Sequence, residues 1–179
     1  MIKPRLLALI SIVLAAAATR LIPHPPNMTS IAAVALFGGA YFQDRRLAFA
    51  VPLAALFLSD LVLGLYAGMA VIYVSFALIV GVGLWLRTRR QPALIAGAAL
   101  VSAVLFFVLT NFGVWAFGHL YPKTWAGLTA CYVAALPFFR NGLEGDLFYT
   151  LLLFGGFAVL ERRFAGLREP SLAQGFAAA

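Results

Sequence analysis

The sequence predicts an all-α, polytopic membrane protein, organised as a single integral membrane domain over 1–179, with six transmembrane helices plus one short re-entrant or rim helix. Three observations carry this. First, 64% of the residues are hydrophobic and only 11% are charged, with a mean hydropathy of +0.99; a soluble domain carries about 25% charged residues, so there is too little polar surface here to cover a soluble core. Second, the basic residues fall between apolar runs, where a membrane protein keeps them for orientation. The formal net charge of +7 is therefore read as topology and not as a nucleic-acid surface. Third, Asp60 stands well inside an apolar run, and an ionisable group there is expensive in lipid and normally faces protein or water.

The elements follow in order. Lys3 and Arg5 precede an apolar run, 6–21, read as the first transmembrane helix. Its four alanines, Ala15 to Ala18, also fit a signal-peptide cleavage site, but Arg20 is a poor flank for cleavage. Ser11, Ala15 and Thr19 lie four apart on one face, a spacing that lets helices approach closely; intramolecular packing is the expected use. Pro23, His24, Pro25 and Pro26 break the helix. A second helix starts at Thr29 or Ser30, either of which is a fitting cap, and runs to Phe42. It is shorter than the roughly 20 residues a full crossing needs, so it crosses with the help of its flanks or through protein interior. Asp44, Arg45 and Arg46 turn the chain into a third helix, 47–66, with Pro52 near its start. A fourth helix, 69–86, ends at Arg87, Arg89 and Arg90. Pro92 suits the first turn of a fifth helix, 93–117, which carries Thr110 and Asn111 near its far end.

Two apolar runs remain, 124–139 and 147–160. If both cross, there are seven crossings and the chain ends lie on opposite sides. If 124–139 is re-entrant or lies along the rim, there are six, and Lys3, Arg5, Arg45, Arg46, Arg87, Arg89, Arg90, Arg162, Arg163 and Arg168 share one side. That is ten of the thirteen basic residues, and the positive-inside rule favours this arrangement, with Met1 and Ala179 both cytoplasmic. Re-entrant backbone must be covered by protein or line a cavity, so the choice implies a pocket.

The same arrangement collects the polar groups toward the outer leaflet. Arg20 ends the first helix, Asp60 lies roughly 20 Å along the third at 1.5 Å per residue, and Asn111 lies in the outer half of the fifth. His24, His119, Tyr121, Arg140, Asn141, Glu144 and Asp146 fall in outer loops. Arg20 and Asp60 are expected to pair, either as a fastening between two helices or as part of an outward-open pocket wall. Phe112 and Tyr121 near Asn111 suit a flat heterocyclic ligand, though aromatic side chains also form an interfacial girdle. The candidate substrate-binding residues are Asp60, Asn111, Arg20, Phe112, Tyr121 and Asn141.

The order of features resembles the substrate-binding S components of energy-coupling factor vitamin transporters. The residues that carry the resemblance are PPNMTSIAAVALFGGAYF over 25–42, then Asn111 and Phe112 with Tyr121 and Pro122, then Leu136, Pro137, Phe138 and Asn141. The family often has alanines four apart in the first helix for docking a membrane partner, where this chain has Ser11, Ala15 and Thr19. The motifs PHPPN, ALFGGAYF and LPFFRN are similar to those of a family of uncharacterised bacterial multi-pass membrane proteins. The S-component resemblance implies a six-helix fold, a small vitamin-like substrate bound from outside, and a transmembrane coupling protein with an ATPase module as partners, in the bacterial cytoplasmic (inner) membrane.

Enzyme readings find no support: there is no HExxH, no phosphate-binding glycine loop and no nucleophile elbow. Catalytic residues and cofactors are expected to be none. His24 and His119 with Asp60 are a thin basis for a metal, so no metal site is expected. The single cysteine, Cys131, excludes an intramolecular disulfide; it is read as a small buried hydrophobe in preference to a soft-metal ligand. The expected function is substrate binding and transport of a small micronutrient, with no nucleic-acid partner. A solitary channel or transporter, and a non-transporting scaffold, are the alternatives.

Overall fold

A computed structural model describes residues 3–169, so Met1 and Ala179, on which the terminal topology was argued, lie outside the described residues. Among the described residues six helices form one bundle: α1 (Pro4–Ala18), continued by a 3-10 turn over Thr19–Leu21; α2 (Ile31–Tyr41); α3 (Arg45–Leu63); α4 (Met69–Leu86); α5 (Pro92–Phe117); and α6 (Trp125–Arg163). All but α2 are long and apolar enough to cross a membrane. The chain is a multi-pass, largely apolar helical membrane protein.

The bundle is built around α2. Its 11 residues are all buried, and it rises only about 16 Å at 1.5 Å per residue. A helix enclosed by other helices need not match the bilayer, because its ends meet protein. The sequence permits the enclosure through small residues. A Cβ on Gly39 would collide with the Val80 carbonyl oxygen and come within 2.8 Å of Gly83 Cα, and one on Gly83 would collide with the Leu36 carbonyl oxygen. The α2 and α4 backbones therefore touch at Gly39 and Gly83, the use that small residues have in membrane interiors. On another side, Gly38 leaves room for Pro52 of α3.

Local signals set the helix starts. Pro92 occupies the first turn of α5, Asp44 caps α3 by accepting from the Arg46 N–H at 2.7 Å, and Thr124 caps α6 by accepting from Gly127 at 3.2 Å. Ser30 makes no cap; its hydroxyl donates to the Ala16 carbonyl at 2.6 Å and ties α1 to the start of α2. On α1 the buried face is Arg5, Leu9, Val13, Ala16 and Ala17, while Ser11 and Ala15 point away from the bundle. Of the small-residue face, only Thr19 packs within the molecule, its hydroxyl 3.3 Å from that of Ser30.

The main correction concerns the last two apolar runs. No separate re-entrant or rim helix exists over 124–139. That stretch is the first part of a single helical span of 39 residues, Trp125–Arg163, which is α-helical over Trp125–Thr150, π-helical over Leu151–Gly155 and α-helical again over Gly156–Arg163. Arg140, Asn141, Glu144 and Asp146 consequently lie within a helix and not in outer loops. Arg140 and Glu144 pair at 3.0 Å one turn apart. The glycines that resemble a break are needed for close approach: a Cβ on Gly145 would sit 3.1 Å from Met28 Cα. The bundle has six helices by this route, five of them long and apolar enough to cross a membrane, and both described ends of the chain lie at one end of it.

Charge is unequal between the two ends. Arg5 of α1 bonds Glu161 of α6 and the Leu167 carbonyl, Arg90 bonds Glu169, and Arg87 donates to the Gly39 and Phe42 carbonyls. This basic end holds the start of α1, the α4–α5 turn and the end of α6 together. Arg20, Lys123 and Arg140 belong to the far end.

Candidate functional site

The far end contains the chemistry. Arg20, in the 3-10 turn that ends α1, reaches α3: its Nη1 donates to Ser59 Oγ at 2.8 Å and to Asp60 Oδ1. Asp60 is fully buried, and its second oxygen, Oδ2, accepts from the Tyr73 hydroxyl of α4 at 2.9 Å. The two ionic residues that share a depth in the sequence are thus joined, and the pair binds α1, α3 and α4. Tyr66, in the α3–α4 turn, lies close enough that burial first, and then the Asp60 carboxylate, hold its phenol above the ordinary value.

Arg20 also lines a cavity of about 340 Å³ enclosed by the start of α2 and by α3, α4, α5 and α6. This is within the roughly 300–1,000 Å³ of small-molecule pockets. Its walls are mostly apolar and aromatic, with Phe76 of α4, Phe106 and Phe107 of α5, and Phe138 and Phe139 of α6. Polar groups enter from Asn27 and Thr29 before α2, from Tyr66, from Thr110 and Asn111 of α5, and from Asp146 of α6.

Of the sequence-predicted residues, Arg20 and Asn111 line this cavity, and Asp60 stands directly behind Arg20. The Asn111 amide donates to the Phe107 carbonyl of its own helix at 2.8 Å. The other three lie elsewhere. Phe112 is half exposed and packs on Trp115 with ring centroids 5.6 Å apart. Asn141 donates to the Pro26 carbonyl at 3.1 Å, fastening α6 to the segment before α2. Tyr121 lies in the α5–α6 turn, outside the cavity wall. Cys131 is buried with its Sγ 3.4 Å from the Asn111 carbonyl oxygen, and His24 sits against the Ile22 carbonyl in its own loop. No cluster of three or more His, Cys, Asp or Glu exists among the described residues.

Sequence reasoning missed Tyr73, Tyr66 and, above all, Asp146. The signal for Asp146 was the Arg140–Glu144 spacing, which is that of a helical ion pair and argues for continuity through this stretch.

The model of a family of unknown function, DUF6580, matches residues 1–172, nearly the whole of the chain. The chain belongs to this family. No curated protein and no solved structure matches it. Family membership carries no tie to S components.

Proposed function

We propose that this chain is a membrane-embedded binding protein for the uptake of a small micronutrient, a vitamin-like heterocycle, which enters the far-end cavity from outside. The observation that carries the reading is the cavity itself: a partly open space of about 340 Å³ with flat aromatic walls and a few placed polar groups, the composition that suits a small heterocycle. The Arg20–Asp60 pair serves it as a rigid wall. The reading assigns no catalysis to the chain.

The basic end is the cytoplasmic end, by the positive-inside rule, and the membrane is the bacterial inner membrane. Energy comes from a separate ATPase module through a transmembrane coupling protein, as the S-component resemblance implies. The outward-facing Ser11 and Ala15 of α1 support a partner helix, since small residues allow one to approach. Mass spectrometry of small molecules retained by gently purified protein tests the binding. A single heterocycle retained in stoichiometric amount is expected, and a chain that retains nothing from cells grown on rich medium speaks against it. Uptake that persists after every candidate ATPase is deleted removes the coupled version and leaves a solitary transporter.

A further inference from the structure

We propose that the ligand of the far-end cavity is a small organic cation, and that the Asp146 carboxylate is its counter-charge. The inference rests on the reading of the cavity as a ligand site and adds the ligand's charge.

The cavity's fixed charges do not balance. Arg20 and Asp60 cancel each other, since both are committed to the same ion pair. Asp146 remains. It lies in the middle of α6, its residue is only 9% exposed, and it lines the cavity. Its carboxylate has neither a salt bridge nor a hydrogen bond among the described residues. The nearest charges on its own helix, Arg140 and Glu144, are exposed and pair with each other at 3.0 Å. One carboxyl group is thus left without a partner in a mostly apolar space.

An unpaired carboxylate in such a setting is costly and is relieved by a cation or a proton. The walls decide in favour of a cation of organic type. Phenylalanine faces attract ammonium and amidinium groups through the ring quadrupole and do so more strongly when water is excluded. Phe107, Phe138 and Phe139 line the same cavity as Asp146. A metal ion is not favoured, because no cluster of three or more His, Cys, Asp or Glu exists among the described residues. An anionic ligand meets Asp146 with like charge, and Arg20 is already engaged.

The test uses the full chain in lipid nanodiscs and calorimetric binding of matched triplets, each a protonated amine, a neutral amide and a carboxylate on the same ring: benzyl, indolyl and pyrimidinyl. In at least one triplet the amine is expected to bind about tenfold or more tighter than the amide, with the carboxylate weaker still. Asp146→Asn should erase the preference, and Asp146→Glu, which keeps the charge, should retain it. Amide or carboxylate binding as tight as the amine overturns the inference and leaves the cavity reading standing, and it points to a proton on Asp146 instead. A preference that survives Asp146→Asn overturns the role of Asp146. If no member of any triplet binds, the cavity reading falls and this inference falls with it. Should Asp146→Asn fail to fold, the charge series on the parent and on Asp146→Glu decides the matter.

Discussion

Asp60 receives two donors from two helices, the Arg20 guanidinium and the Tyr73 hydroxyl, and is itself fully buried. Removing one member of a buried pair strands the other and costs about 3–5 kcal/mol. Asp60→Ala and Arg20→Ala should therefore each lower the unfolding temperature in detergent markedly. The double mutant should lose less than the sum, by about 1–3 kcal/mol, as coupled groups do. Losses that simply add, measured by thermal unfolding of all three variants, would contradict the pair. Asn111 behaves differently. Its amide donor is spent on its own helix, yet the residue lines the cavity. Asn111→Ala strands no charge, so retention of the co-purified molecule should fall several-fold while the unfolding temperature moves little. Unchanged retention would place the ligand away from α5.

At the scale of elements, the α2–α4 contact is the tightest test of the fold. Gly39 and Gly83 have no room for a Cβ, whereas a Cβ on Gly81, two residues away on α4, meets nothing within 4 Å. Gly39→Ala and Gly83→Ala should each cost about 1–3 kcal/mol through overpacking. Gly81→Ala should be neutral or stabilise by up to about 1 kcal/mol, since glycine in a helix is conformationally costly. Equal effects of Gly81→Ala and Gly83→Ala on detergent unfolding would mean the two helices do not meet backbone to backbone. The same physics explains α6. Gly142 and Gly145 pass against Asn27 and Met28, so glycines that read as loop residues are in fact contact residues inside a helix. Pro137 lies within that helix and a π-helical turn follows Thr150; π turns inside helices recur at functional sites, and the turn lies one helical turn beyond Asp146.

For the whole molecule, the six-helix path puts the described ends together at the basic end, and the proposed orientation, with that end cytoplasmic, is testable. Reporter fusions at Met1 and Ala179 should both report the cytoplasm. In a Cys131→Ser background, single cysteines introduced by Lys123→Cys and Arg89→Cys should react with an impermeant reagent from opposite faces of the membrane. Labelling of both from the same face would break the crossing count.

Composition and charge placement by themselves determined that this chain is a helical, multi-pass membrane protein, where its first five helices run, and that Arg20 and Asp60 share a depth. These are one-dimensional properties: hydropathy counts residues along a segment, the positive-inside rule counts charges between segments, and depth is position times rise. Only the tertiary structure decided that 124–139 and 147–160 are one helix, because glycine spacing cannot distinguish a turn from a site where another backbone passes close. Only it decided which side chains share the cavity. Phe112, Tyr121 and Asn141 have suitable depth or chemistry but do not line it, and Asp146, which reads as a loop residue, does. The rotation of a helix about its axis is set by how its neighbours pack, here by the Gly39–Gly83 contact and by Gly145 on Met28, and that information resides in pairs of segments and not in any one of them.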